Sequence, residues 1–189
     1  MRLSFLLPAA LVVLVAVRTT AAPVTVPFDV QVPLMLKALT YDRSLKARVG
    51  DQVRIAVLHP PQGEPGAAES LAAALRNLPG RTLNGLPVTF RHFTVRNEAV
   101  VEQALRDGRW AAAYVMPGFA PEELAQIRRA CETQRVLAMA ADAGEVERGL
   151  AFGVDSREGK PQLVVNLSST KAFGSEFDLA LLRLSRVIQ

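Results

Sequence analysis

Two hydrophobic periods take turns along this chain, one helical and one extended. Phe28, Val32, Met35 and Leu39 recur at helical spacing, which predicts a first helix within residues 26–40. Pro33 either kinks that helix or opens it at its first turn. The polar run Tyr41-Asp42-Arg43-Ser44, and then Gly50, mark a connection. Residues 52–59 (QVRIAVLH) predict a strand with a buried centre. A linker rich in proline and glycine follows, and Leu71, Leu75 and Leu78 line one face of a helix. Residues 86–95 alternate around Val88, Phe90 and His92 as a second strand. Val101 and Leu105 then stand one turn apart in a helix over 97–106. Residues 109–116 (RWAAAYVM) are an apolar third strand, ended by Pro117-Gly118. Pro121 suits a first helical turn, where Glu122 and Glu123 favour the positive end of the dipole. Leu124, Ile127 and Cys131 line that helix, and residues 135–140 predict a fourth strand.

Strand–helix alternation with apolar strands implies a parallel sheet covered on both faces. Right-handed crossovers then give a three-layer α/β fold, flavodoxin- or Rossmann-like, with a mostly parallel sheet. The end of the chain changes character. Residues 150–155 and 161–167 read as strands joined by the polar turn 156–160, a C-terminal β-hairpin. Phe177, Leu181, Leu184 and Ile188 share one helical stripe, so a long closing helix is expected.

The N-terminus sets the compartment. Arg2 precedes an apolar run from Leu3 to Val17, and small residues at Thr19 and Ala21 fit a signal-peptidase site. Residues 1–21 are read as a cleaved signal peptide and 22–189 as one α/β domain exported to the periplasm. The apolar run is short for a membrane span, which takes about 20 residues. The chain carries 22 Lys+Arg against 18 Asp+Glu, and Arg2 and Arg18 leave with the leader. A well-mixed, weakly basic remainder does not argue for a nucleic-acid partner. The one cysteine, Cys131, has no internal partner. Its apolar helix position suits a small buried hydrophobe, the alternative being a disulfide between chains.

Catalytic equipment is sparse. His59 and His92 belong to different strands and lack the close pairing of a helical zinc motif. No G-x-S-x-G turn presents a serine, and Ser70 lies inside a helix. Gly63 and Gly66 form neither a G-x-G-x-x-G turn nor a P-loop. No cofactor, metal or catalytic residue is assigned, and the protein is not expected to be an enzyme. The loop after the last hairpin strand is the one polar cluster that invites a site. Polar residues at the carboxyl end of a strand, beside a helix start, are where α/β proteins tend to hold ligands. Asn166, Ser168 and Lys171 are therefore candidate ligand or partner contacts. Each neighbour also has a structural job available. Asn166 can bond nearby backbone, Ser168 can cap a short turn, and Gly174 can stop it. Ser175 can cap the final helix, with Asp178 three residues on.

These same residues carry a likeness. Gly149-Leu-Ala-Phe-Gly-Val, the turn, Pro161-Gln-Leu-Val-Val-Asn-Leu, then Ala172, Gly174 and Leu181-Leu-Arg-Leu-Ser-Arg-Val-Ile188 resemble the closing pattern of the YfiR family. Leu36-Lys-Ala-Leu-Thr-Tyr-Asp42 before Val53-Arg-Ile-Ala-Val-Leu58 is similar to the family's leading helix and first strand. The resemblance implies a small periplasmic α/β regulator, often dimeric. Such a regulator binds the periplasmic domain of an inner-membrane diguanylate cyclase and so governs cyclic-di-GMP and biofilm. The partner within such a family also extends to a histidine kinase. Members controlled by internal disulfides have cysteine pairs, so that control does not carry over to a chain with one. The first helix and Tyr41, Asp42 and Arg43 are the expected partner contacts. The competing expectation is a periplasmic small-ligand receptor, its site lined by Asn166, Ser168 and Lys171.

Overall fold

The computed structural model describes residues 26–106 and 108–189, so the expected leader and its cleavage site lie outside the described residues. The most apolar stretches become the centre of one sheet. These are β1 (Val53–His59), β4 (Trp110–Val115) and β5 (Leu137–Ala140), buried almost throughout as a parallel sheet covered on two faces demands. Around them lie β2 (Thr82–Leu83), β3 (Leu86–Thr94), β6 (Phe152–Arg157), β7 (Lys160–Asn166) and β8 (Arg186–Ile188). The strand order is β2-β3-β1-β4-β5-β6-β7-β8. Strands β3, β1, β4, β5 and β6 run parallel, β7 returns antiparallel to β6, and β8 runs parallel to β7.

The long helices cover the two faces. Helices α1 (Phe28–Leu39) and α3 (Ala67–Arg76) bring Val32, Met35, Leu71 and Leu75 onto Ile55, Val57 and Phe90. Side chains alternate along a strand, so Arg54, Arg91 and Phe93 point to the opposite face, toward α4 (Glu98–Arg106). Helix α5 (Pro121–Gln134) packs beside α4 and buries Leu124, Ile127 and Cys131, as their spacing predicts. Pro121 opens α5, and Glu123 accepts from the Ala120 N–H at 2.8 Å. Pro33 neither opens nor ends α1; it lies inside the helix on the exposed side. Short helices fill the connections: α2 (Leu45–Arg48), α6 (Ala143–Glu147), α7 (Leu167–Ala172) and α8 (Leu179–Arg183).

The closing region departs from its periodicity. The last helix spans only Leu179–Arg183, and the chain then adds β8 to the outer edge of β7. Strand β7 would otherwise leave a row of open backbone groups, which β8 satisfies. Leu184 falls off the buried stripe and stands 73% exposed. Asp178, not Ser175, caps α8: its carboxylate accepts from the Ala180 N–H at 2.8 Å. Ser175 is buried instead, its hydroxyl without a partner. Strand β2 was not expected either. It forms because Asn84 and Gly85 both take left-handed backbone, the turn that closes a two-residue hairpin.

Candidate functional site

In parallel sheets, ligands tend to sit beyond the carboxyl ends of the strands, where the strand order reverses. Here that point lies between β1 and β4. The protein's own chain occupies the neighbouring edge. The Gln31 amide, wholly buried, donates to Val26 O at 2.8 Å and to Ala141 O at 3.0 Å, just past β5. The Tyr114 hydroxyl, near the end of β4, donates to Gln31 Oε1 at 2.9 Å. Phe28 packs edge-on against Tyr114. Glu145 of α6 is buried beside this network, and one of its oxygens has no partner. Burial, and then the Asp142 charge, pushes its carboxyl up to about 8. Burial likewise pushes the Tyr114 phenol up, with Glu145 adding to the effect.

Asn166 lies at the carboxyl end of β7, but β7 runs against the parallel strands, so its end points away from their carboxyl edge. The Asn166 side chain is committed to structure. Its oxygen accepts from the Ser169 N–H at 3.0 Å, capping α7, and its amide donates to Val146 O at 3.3 Å. Ser168 and Lys171 are exposed on α7. Gly174 takes the left-handed conformation expected after that helix.

Tyr41, Asp42 and Arg43 meet the closing segment. Asp42 pairs with Phe177 as a short bridge, and its carboxylate accepts from the N–H groups of Ser44 at 2.9 Å and Glu176 at 3.2 Å. It also takes an ion pair from Arg48, whose Nη1 donates to Ala111 O at 3.0 Å. Burial lowers the Arg48 pKa, and Asp42 opposes that shift. Asp42 therefore clasps α1, α2, β4 and the closing segment. Arg43 is an exposed neighbour that pairs with Asp178 at 2.9 Å and Glu176 at 3.4 Å.

Tyr41 opens onto a groove of about 580 Å³ between the end of α1, the β6–β7 hairpin and α8. Leu34, Ala38, Leu163, Leu181 and Leu184 supply its apolar surface. Lys37, Arg157 and Lys160 stand along it against the single acid Glu158, and Lys37 lies 5.7 Å from the Tyr41 ring centre. Leu179, the first residue of α8, is 63% exposed. The sequence reading found Tyr41 but not the rest of this groove. Arg157 and Lys160 read there only as turn residues, and Leu184 as core.

Two further features concern chemistry. His59 and His92 meet at the ends of β1 and β3, with Nε2 and Nδ1 2.8 Å apart. Their rings lie end to end, 23° from one plane, as a ring-to-ring hydrogen bond requires. Burial lowers both pKa values, and for His59 the His92 ring adds to this. Among the described residues no group of three or more His, Cys, Asp or Glu converges as a metal site. Cys131 is wholly buried, its thiol pushed up to about 12 by burial, which keeps it from a partner chain's cysteine. No helix among the described residues is long and apolar enough to cross a membrane.

Comparison with known proteins agrees with this architecture. Among curated proteins none matches the chain. Solved structures share the fold at low identity, three of them as follows. The ligand-free, open structure of CD0873, a substrate-binding protein with adhesive properties from Clostridium difficile, aligns with a TM-score of 0.54 and 16% identity over 77% of this chain and 57% of that one. A conserved domain protein from Vibrio cholerae O1 biovar El Tor aligns with a TM-score of 0.54 and 16% identity, over 86% of this chain and 60% of that one. The ABC domain from Streptococcus pneumonia, in complex with L-Trp, aligns with 0.57 and 13%, over 86% and 62%. The chain thus spans about three-fifths of the length of these neighbours, and the likeness is one of fold. The family model described as YfiR/HmsC-like matches residues 40–186, from the helix end beside Tyr41 to the first residue of β8. This chain belongs to the YfiR/HmsC-like family.

Proposed function

We propose that this protein is a non-enzymatic periplasmic regulator, exported by cleavage after Ala21, with residues 22–189 acting as one domain. It binds the periplasmic part of an inner-membrane signalling protein, a diguanylate cyclase or a histidine kinase, and shifts that protein's output. A regulator of this kind works by differential binding: it must hold one state of its partner more tightly than the other. Family membership supports the class of role. The observation that carries the contact surface is the groove beside Tyr41, with Leu184 left 73% exposed at its margin. An apolar strip edged by Lys37, Arg157 and Lys160 suits an apolar segment flanked by acids. In this reading Tyr41 touches the partner, Asp42 holds the groove's wall in place, and Arg43 lies beside it. Ser168 and Lys171 offer a second exposed patch on α7.

Deleting the gene is expected to change intracellular cyclic-di-GMP or the phosphorylation of a response regulator. The exposed-residue variant Leu184→Asp is expected to act like the deletion while accumulating to the wild-type level. Unchanged output in both strains would contradict a regulatory role. A receptor that holds a small ligand with Asn166, Ser168 and Lys171 is less well supported, because both polar atoms of the Asn166 amide already have partners.

A further inference from the structure

A second groove, of about 630 Å³, lies on the other face of the sheet against α4. Phe93 and Trp110 form its aromatic floor, their rings edge to face with centres 5.7 Å apart. The Trp110 indole is fixed by its N–H, which donates to Ala104 O at 2.9 Å. Two guanidiniums line the same groove. Arg91 stands 5.5 Å from the centre of the Phe93 ring. Arg54 is held by Gln52, whose carbonyl, with the amide turned toward it, accepts from Arg54 Nε at 3.1 Å and Nη2 at 2.7 Å. The β1–β3 register sets Arg54 opposite Thr89 and Arg91 opposite Ala56, so the two arginines are diagonal neighbours on one face. Among the described residues, no carboxylate lies within ion-pair distance of either. A neutral amide and an aromatic ring thus position the two guanidiniums.

Planar guanidiniums recognise carboxylate and phosphate by paired hydrogen bonds, and they favour aromatic faces. The floor beneath them is apolar, with Phe93 at its surface and Trp110 buried below. We propose that this groove binds a small organic anion, its ring set against Phe93 and its carboxylate or phosphate held between Arg54 and Arg91. Thr89 and Gln103 line the groove and add hydrogen-bonding groups at its wall. The volume suits one ring and its head group, within the range of small-molecule sites. The site lies across the sheet from the Tyr41 groove and does not depend on partner docking.

Trp110 is the chain's one tryptophan, so its fluorescence reports on the groove floor directly. Phenyl phosphate and benzoate are titrated into the purified protein, followed by Trp110 emission and, in parallel, by ligand-observed NMR. Inorganic phosphate and benzyl alcohol serve as the head group and the ring alone. A saturable response to at least one ring-bearing anion is expected, about ten-fold tighter than either half. Arg54→Gln and Arg91→Gln are each expected to weaken it about ten-fold, the loss of one charge-assisted contact, with melting temperature unchanged. The tighter of the two probes assigns the head group. No saturable signal by either method would overturn the proposal. So would binding that ignores both arginine variants, or inorganic phosphate binding as tightly as phenyl phosphate.

Discussion

Removing the Asp42 carboxylate strands the Arg48 guanidinium in a largely buried place and frees the Ser44 and Glu176 N–H groups. Breaking one partner of a buried pair typically costs about 3–5 kcal/mol, so Asp42→Ala is expected to lose that much in denaturant melts. Arg43→Ala removes only exposed pairs and is expected to leave the melting temperature almost unchanged. Glu145 gives the opposite kind of effect. Its carboxyl ionises near the ordinary 4.5 when unfolded but near 8 when folded. Between these values the unfolded chain gives up a proton that the folded one keeps. Stability from this group is full below 4.5 and falls as pH rises toward 8, by at most about 1.4 kcal/mol per pH unit. Glu145→Gln is expected to flatten that slope and to raise the melting temperature at pH 8; an unchanged slope would place the carboxyl elsewhere. The histidine pair acts on the acid side. With both pKa values lowered in the fold, the unfolded state binds the extra protons, and stability is lost as pH falls below the ordinary 6.5. Loss of that acid sensitivity in the double variant His59→Gln/His92→Gln is the check. Little of this was legible in the sequence. Asp42 read as one member of an isolated triplet, and nothing in the sequence singled out Glu145. A buried partner from another element leaves no local signature.

The long elements were legible because their faces repeat. Leu71 and Leu75, or Leu124, Ile127 and Cys131, each mark a stripe that one helix buries. The continuous apolar runs of β1 and β4 announced strands covered on both sides. The closing segment was misread because periodicity carries no record of a distant edge. Phe177, Leu181, Leu184 and Ile188 fit a helix in register, yet β7's open side captures Arg186–Ile188 as a strand. The Asn84-Gly85 turn was written in the sequence and could have announced β2. One glycine of the resemblance now has a physical reason. A Cβ on Gly153 would come within 2.9 Å of Ala140 O and 3.1 Å of a Val146 methyl, just where β6 joins β5. Gly153→Ala is expected to cost about 1–3 kcal/mol, as overpacking does, read from the denaturation midpoint. A neutral result would mean that β6 shifts freely against β5.

At the scale of the whole molecule, the sheet sorts its surfaces into distinct jobs. The edge where related architectures hold ligands is filled by the chain's own Gln31 and Phe28 around Tyr114. Two of the grooves that stay open lie on the flanks: the basic-edged groove beside Tyr41 and the arginine groove across the sheet. The strand–helix alternation made the mostly parallel α/β architecture legible, and the closing motifs made the family legible. The groove was not, since α1, the hairpin tip and α8 come from remote parts of the chain. The most direct measurement places a photo-crosslinking residue at Leu184, in the protein expressed in its native envelope, with Glu69 on α3 as the exposed control. Crosslinking from 184, and not from 69, to one inner-membrane cyclase or kinase is the expected result. No adduct at 184, or the same adducts from both positions, would contradict docking at this groove.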